Sequence, residues 1–200
     1  RTRFATEHQY SEHLNLCHFG SLAKDRSLST ILVALDLLLK KPPEARNHIR
    51  IHAYGAALDS LTLTAIDQFG LGDVVLAHGR LEKDLSSGIS GRERVIEKMQ
   101  EADVLILLHG VGEECAEYIP SKLYDYLWTG RPIWAVTHRN PQLNEMLGAR
   151  NAYLSASGDD EGVALTLEKI WRDWQQKNLN QATGSPIDVN QAVQKILETI

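Results

Sequence analysis

Two acidic residues flank a predicted helix start. Glu117 and Asp125 are eight positions apart, and Pro120 between them favours a helix that begins near Ser121. Asp125 then lies about one turn into the helix, whereas Glu117 stays on the preceding loop. We therefore expect the two carboxylates to border one pocket.

The predicted helix start is also suited to bind an anion. Ser121 and Lys122 occupy its first positions, where free backbone N–H groups and the positive end of the helix dipole attract negative charge. A diphosphate fits such a site. Gly130 is typical of the residue that ends a helix, and the apolar run 133–136 after it predicts a buried strand.

The elements that position this segment follow from hydrophobic periodicity. Strands are predicted at 13–19, 49–54, 74–77, 104–108 and 133–136. Besides the helix near Ser121, helices are predicted at 28–39, 58–69, 91–100, 162–176 and 189–200, the last two joined by a linker at 184–186. This alternation predicts an α/β fold, a Rossmann-like parallel sheet with right-handed crossovers and helices on both faces.

Open parallel sheets bind ligands beyond the carboxyl ends of their strands. Several polar or glycine residues follow the predicted strands, namely Gly20, Ser21, Arg26, Gly55, Gly79, Arg80, His109, Gly110, Thr137 and His138. We expect all of them, together with Glu117, to lie on one rim of the sheet.

Composition narrows the class of protein. The chain has 200 residues, of which 43% are hydrophobic and 24% charged, values typical of one soluble domain. A net charge of -5 argues against a general nucleic-acid surface. The two cysteines, Cys17 and Cys115, form neither a disulfide framework nor a metal motif, which favours a reducing compartment. We expect no metal and no cofactor, no transmembrane segment, and a cytoplasmic location.

Residues 117–132 resemble a motif of a known enzyme family. Retaining family 4 glycosyltransferases of the GT-B type, also called glycosyl transferases group 1, carry Glu, seven residues and Glu, followed by a short helix and a Gly-x-Pro turn. Here Asp125 stands in the second position, and its side chain is one methylene shorter.

A second segment, residues 18–35, is similar to the opening strand, glycine turn and first helix of the same family. In that family an Arg directly after the glycine and a Lys five residues later hold the diphosphate. This chain has Ser21 and Arg26 at those positions. One cation is therefore missing, and the other is a guanidinium that can bond two phosphate oxygens.

The resemblance, over about residues 14–200, implies the donor-binding half of a glycosyltransferase. Residues 1–200 would form one domain that binds a nucleotide diphosphate sugar, and the acceptor-binding domain would be missing from this chain and would make any membrane contact. Retention of configuration is implied. The resemblance assigns catalytic roles to Glu117 and Arg26, with Glu117 on the sugar and Asp125 on the ribose. The implied substrate-binding residues are Gly20, Ser21, Arg26, Gly55, His109, Glu117, Tyr118, Ile119, Pro120, Ser121, Lys122 and Asp125.

Alternatives stay open at this point. Glu117 with Glu113 and Glu114 forms a solvated charge cluster in one interpretation, and in another Glu114 takes the sugar-contacting role. Arg26 has Asp25 as a neighbouring acid with which to pair. The whole chain could act as a noncatalytic or partner-dependent nucleotide-sugar binding subunit, or as part of a nucleotide-sugar epimerase of similar architecture.

Overall fold

The computed structural model describes residues 8–55 and 57–182. Within these ranges six strands form one sheet in the order β3-β2-β1-β4-β5-β6, and every neighbouring pair is parallel. The strands are β1 Leu14–Phe19, β2 Ile49–Tyr54, β3 Val75–Gly79, β4 Val104–Leu108, β5 Ile133–Thr137 and β6 Tyr153–Ala156. The predicted Rossmann-like parallel sheet is confirmed.

Helices connect successive strands. They are α1 Ser29–Leu39, α2 Ala45–His48, α3 Ser60–Phe69, α4 Gly91–Glu101, α5 Lys122–Thr129, α6 Pro141–Gly148 and α7 Asp160–Gln175, with a 3-10 turn at Glu113–Glu117. The sequence interpretation missed α2, α6, β6 and the 3-10 turn. The predicted helix at 189–200 and the linker at 184–186 lie outside the described residues.

The helices cover both faces of the sheet, as predicted. Side chains of α1, α3 and α7 pack on one face, whereas α4, α5 and α6 pack on the other. All five residues of β4 and of β5 are buried, because these central strands are covered from both sides. In the described part of the chain no helix has both the length and the apolar character needed to cross a membrane.

Helix α5 is fixed to the sheet through one side of its surface. Leu123, Tyr126 and Leu127 follow the spacing of a single helical face and are buried. The hydroxyl of Tyr126 donates to the carbonyl of Ile106 at 3.2 Å and accepts from the N–H of Phe19 at 3.2 Å. These bonds tie α5 to both β4 and β1, so that the beginning of α5 lies at the carboxyl ends of those strands.

Candidate functional site

Two glycine turns form the floor of the rim. Gly20 follows β1 with φ of +114°, and Gly55 follows β2 with φ of +143°. The N–H of Gly20 donates to the carbonyl of Tyr54 at 2.8 Å. A Cβ on Gly55 would lie 2.3 Å from the carbonyl oxygen of Gly20, a distance that no side chain tolerates. The turns can therefore pack directly against each other only because Gly55 has no side chain.

Two cavities open along this rim. The first, which we call the acid-loop cavity, has a volume of about 320 Å³ and is lined by Arg26, His109, Tyr118, Pro120, Ser121 and Lys122 among others. The second, the strand-edge cavity, has a volume of about 410 Å³ and includes Gly20, Tyr54, Gly55, Arg80, Arg92 and Lys122 in its lining. Lys122 is common to both linings, so that the two cavities meet at its side chain.

Two cations line the acid-loop cavity, and one of them, Lys122, also lines the strand-edge cavity. The ammonium of Lys122 donates to the carbonyl of Phe19 at 2.8 Å and contacts no carboxylate within residues 8–55 and 57–182. Burial, followed by the positive charge of Arg26, lowers the pKa of Lys122 to about 8. Arg26 faces Asp25, with 3.7 Å between Nε and Oδ2. The lining of the acid-loop cavity around Lys122 therefore carries more positive than negative charge, which favours an anion there.

The first backbone N–H groups of α5 add to this positive potential. Ser121 precedes the helix, and its side chain makes no capping hydrogen bond. The N–H groups of Ser121 and Lys122 donate to no acceptor among the described residues. Ser121 is exposed, so these donors are available to a ligand on the rim.

A buried asparagine holds the loop that carries Glu117. The side-chain amide of Asn140, which is 1% exposed, donates to the carbonyls of Cys115 and Tyr118 at 3.1 and 3.0 Å. Its oxygen accepts from the N–H of Leu143 at 2.8 Å and so caps α6. The sequence interpretation missed Asn140, although an Asn directly before a Pro is a common signal for a helix start.

His109 supports the same loop. Its Nε2 lies 3.0 Å from the Tyr118 carbonyl, which can only accept, so Nε2 carries the proton. The ring is 3% exposed and lies roughly parallel to the Tyr118 ring, with 6.4 Å between centroids. His109 therefore lies beside the cavity, as expected, and its ring also makes a structural hydrogen bond to the loop that the sequence did not indicate.

Glu117 lies at the end of the 3-10 turn and is exposed. In the described part of the chain it makes no ion pair or side-chain hydrogen bond, whereas the following residue, Tyr118, lines the acid-loop cavity. Glu113 is exposed as well. Ile119 is half-buried and Pro120 is buried, so these two residues anchor the loop.

Asp125 lies on the other side of Lys122. Its carboxylate is paired with Arg92 of α4, with Nη2 2.6 Å from Oδ1 and Nη1 3.4 Å from Oδ2. Arg92 lines the strand-edge cavity, not the acid-loop cavity. Neither Glu117 nor Asp125 is among the residues that line the two cavities, and the expectation that their carboxylates border one pocket stays a prediction.

The remaining predicted residues lie on the rim. Ser21 is exposed next to Gly20, and a Cβ on Gly20 would lie 3.0 Å from the Lys122 ammonium. His18, which was not predicted as a site residue, is buried behind the rim. Burial, followed by the charge of Lys122, lowers its pKa to about 3, so the ring is neutral. No group of three or more His, Cys, Asp or Glu residues in the described ranges could hold a metal ion.

Comparison with solved structures shows which proteins share this fold. HepE of Anabaena, solved with UDP, matches with a TM-score of 0.65 and 18% identity over 94% of this chain and 48% of HepE. The pneumococcal O-GlcNAc transferase GtfA, solved with UDP and GlcNAc, gives 0.62 and 18% over 89% and 32%. The C-terminal domain of the glycosyl transferase group 1 family protein LpcC from Francisella tularensis gives 0.61 and 14% over 88% and 89%.

The chain has the fold of a GT-B glycosyltransferase C-terminal domain. Identities this low show the fold alone, and the chain spans about half of HepE and a third of GtfA. No protein-family model matches the chain, and neither does any curated protein sequence. The GT-B fold that the resemblance implied is confirmed. The residue roles, the missing domain and the cytoplasmic location stay predictions.

Proposed function

We propose that this GT-B domain binds a nucleoside diphosphate sugar and, together with an acceptor-binding domain, transfers the sugar to an acceptor hydroxyl. The observation that carries the proposal is the meeting of two rim cavities at Lys122. A nucleoside diphosphate sugar has two uncharged ends and an anionic centre. The two cavities can take the uncharged ends, and the cations can bind the anionic centre.

The diphosphate occupies the junction between the cavities. Arg26 and Lys122 supply two positive charges there, and the N–H groups at the start of α5 supply further donors. Lys122 thereby provides a second cation although Ser21 stands where the family has an arginine. UDP is present in the structures of HepE and GtfA, which supports a diphosphate ligand for this fold.

The nucleoside occupies the strand-edge cavity. Tyr54 contributes an aromatic ring edge, since the faces of its ring stack on Phe19 with 4.8 Å between centroids and on His78 with 4.4 Å. A nucleobase packs against this ring edge, and Leu81 and Val95 add apolar contacts. The sugar then lies in the acid-loop cavity, beside the loop that carries Glu117.

The chemistry follows from this placement. When the sugar leaves, negative charge grows on the β-phosphate, and Arg26, Lys122 and the α5 amides stabilise that charge more in the transition state than in the ground state. Glu117 accepts hydrogen bonds from sugar hydroxyls and orients the anomeric carbon. Fixed cations and a helix start supply this stabilisation without a metal ion. An acceptor-binding domain adds the nucleophilic hydroxyl and excludes water.

One observation favours a second candidate, a noncatalytic subunit that binds nucleotide sugars for a partner. Ser21 removes a cation that the resembled enzymes use on the diphosphate. Adding an acceptor-binding domain in trans separates the two candidates, because the subunit would bind the donor with no turnover. Residues 1–200 alone should transfer no sugar under either candidate.

Binding measurements on residues 1–200 test the proposal directly. A thermal-shift panel of UDP, GDP, ADP and CDP identifies the preferred base, since a ligand that binds the folded state raises the melting temperature. Arg26→Ala should then weaken nucleoside diphosphate binding by about 1.5 to 3 kcal/mol and leave nucleoside binding nearly unchanged. Arg172→Ala, which removes an exposed arginine of α7, is the matched control. Absence of binding for all four nucleotides would refute the proposal.

A further inference from the structure

The amine of Lys122 is held in one place at the rim. Its Nζ donates to the carbonyl of Phe19 at 2.8 Å, and a Cβ on Gly20 would lie 3.0 Å from it. The side chain thus reaches from the start of α5 to the turn after β1. Because Lys122 lines both the acid-loop cavity and the strand-edge cavity, a small molecule that enters either one meets this side chain.

The surroundings of Lys122 make its amine more reactive than that of an ordinary lysine. Burial, followed by the charge of Arg26, lowers the pKa of Lys122 to about 8. At pH 7 about one amine in ten is therefore neutral, against fewer than about one in a thousand for an unperturbed lysine. Only the neutral amine has the lone pair that attacks a carbonyl carbon. Lys122 can therefore act as a nucleophile as well as a cation.

Polar atoms that lack a hydrogen-bond partner among the described residues belong to the lining of the acid-loop cavity. Nε of Arg26 is one of them, since Oδ2 of Asp25 lies 3.7 Å away, which is beyond hydrogen-bond distance. Nδ1 of His109, whose ring is 3% exposed, is another. Both atoms are available to a ligand of this cavity, and the charged Arg26 donor suits a phosphate.

We propose that Lys122 is a modification site, at which acyl phosphates transfer their acyl group to the side-chain amine. An acyl phosphate carries a reactive carbonyl directly beside a phosphate. Binding of the phosphate by Arg26 therefore brings the carbonyl close to an amine that is already held in place. The inference needs only an anion in the acid-loop cavity, and it does not depend on the sugar transfer of the proposed function.

The transfer is an acyl substitution. The neutral Nζ forms a bond to the carbonyl carbon, and the bond from that carbon to the phosphate oxygen breaks. Phosphate leaves with the electron pair of the broken bond, and the proton that the amine loses passes to water. The product is an uncharged amide at Lys122, so that the lining of the acid-loop cavity keeps Arg26 but loses the second cation.

Site-resolved mass spectrometry of residues 1–200 treated with acetyl phosphate at pH 7 tests the inference. Lys122 should be acetylated at least about tenfold faster than Lys40 and Lys83, which are both exposed. Acetic anhydride, which has no phosphate, is the control reagent. Arg26→Ala should raise the pKa of Lys122 and so slow both reagents, but it should slow acetyl phosphate about tenfold more, because a hydrogen bond to the phosphate is lost. Arg172→Ala should alter neither rate.

Two results would overturn the inference. One is acetylation of Lys122 no faster than that of Lys40, and the other is an equal loss of rate with both reagents in Arg26→Ala, since phosphate binding would then play no part. Titration of the same protein with UDP, GDP, ADP and CDP separates this inference from the proposed function. Nucleotide binding without selective acetylation refutes the inference alone, whereas selective acetylation without nucleotide binding refutes the proposed function alone. Circular dichroism confirms that each variant is folded before rates are compared.

Discussion

Lys122 should stabilise a bound diphosphate at the expense of the fold. Its ammonium is partly buried, and the only acceptor it reaches among the described residues is the Phe19 carbonyl. We predict that Lys122→Met makes the free protein more stable at neutral pH and weakens nucleoside diphosphate binding by about tenfold or more. Such opposite changes identify a residue kept for binding and not for folding.

The magnitude follows from the pKa of Lys122, which falls from 10.5 to about 8 in the folded chain. Each pH unit of displacement corresponds to about 1.4 kcal/mol, so keeping the ammonium charged costs the fold about 3 kcal/mol. The lost hydrogen bond to Phe19 offsets about 1 kcal/mol of this gain. We therefore expect Lys122→Met to raise the free energy of unfolding by about 2 kcal/mol at pH 7.

The pH dependence gives the effect its signature. Because the folded-state pKa lies below the unfolded value, the folded chain binds fewer protons than the unfolded chain between pH 8 and 10.5. The penalty is fully present below pH 8 and disappears as pH rises through 10.5. Stability of the wild type should thus rise, relative to the variant, across this window.

Urea denaturation of both proteins at pH 7 and at pH 10 measures this difference. Lys40→Met is the control, because it removes an exposed lysine that is paired with Asp36. It should not show the pH-dependent gain in stability. If Lys122→Met is less stable than the wild type by the same amount at both pH values, the ammonium is not desolvated and the reasoning is refuted.

Three further predictions concern the loop and the buried histidine. Glu117→Gln should leave the dissociation constant for free UDP unchanged and should lower turnover of the complete two-domain enzyme by an order of magnitude or more; loss of affinity for UDP itself would place Glu117 elsewhere. Asn140→Ala should destabilise the fold by about 1 to 3 kcal/mol, because the Cys115 and Tyr118 carbonyls lose a buried donor, as measured by urea denaturation; an unchanged midpoint would show that the loop does not depend on it. Stability should fall as pH drops from 6.5 toward 3, since the pKa of His18 is lowered to about 3 in the fold and the unfolded chain takes up its proton first; His18→Gln should weaken that dependence, and an identical acid profile for the variant would contradict the assignment.

Local pattern in the sequence was sufficient for the architecture. The alternation of β-rich and helical periodicity required a parallel sheet with crossovers, and the helix around Lys122 to Thr129 followed from the proline before it and the glycine after it. The family resemblance rested on this segment and on residues 18–35. The helix α2 and the strand β6 were missed because each has only four residues. So short a segment shows too little periodicity to be distinguished from a loop.

The partners of the site residues were decided by tertiary structure. Arg92 and Asp125 are 33 positions apart, and Asn140 lies 22 positions from the Tyr118 carbonyl that it holds. Neither contact has a local signal, since each depends on which helices the sheet order brings side by side. The low pKa of Lys122 has the same origin: the sequence shows a lysine at a helix start, but only packing against Phe19, near the charge of Arg26, removes it from water.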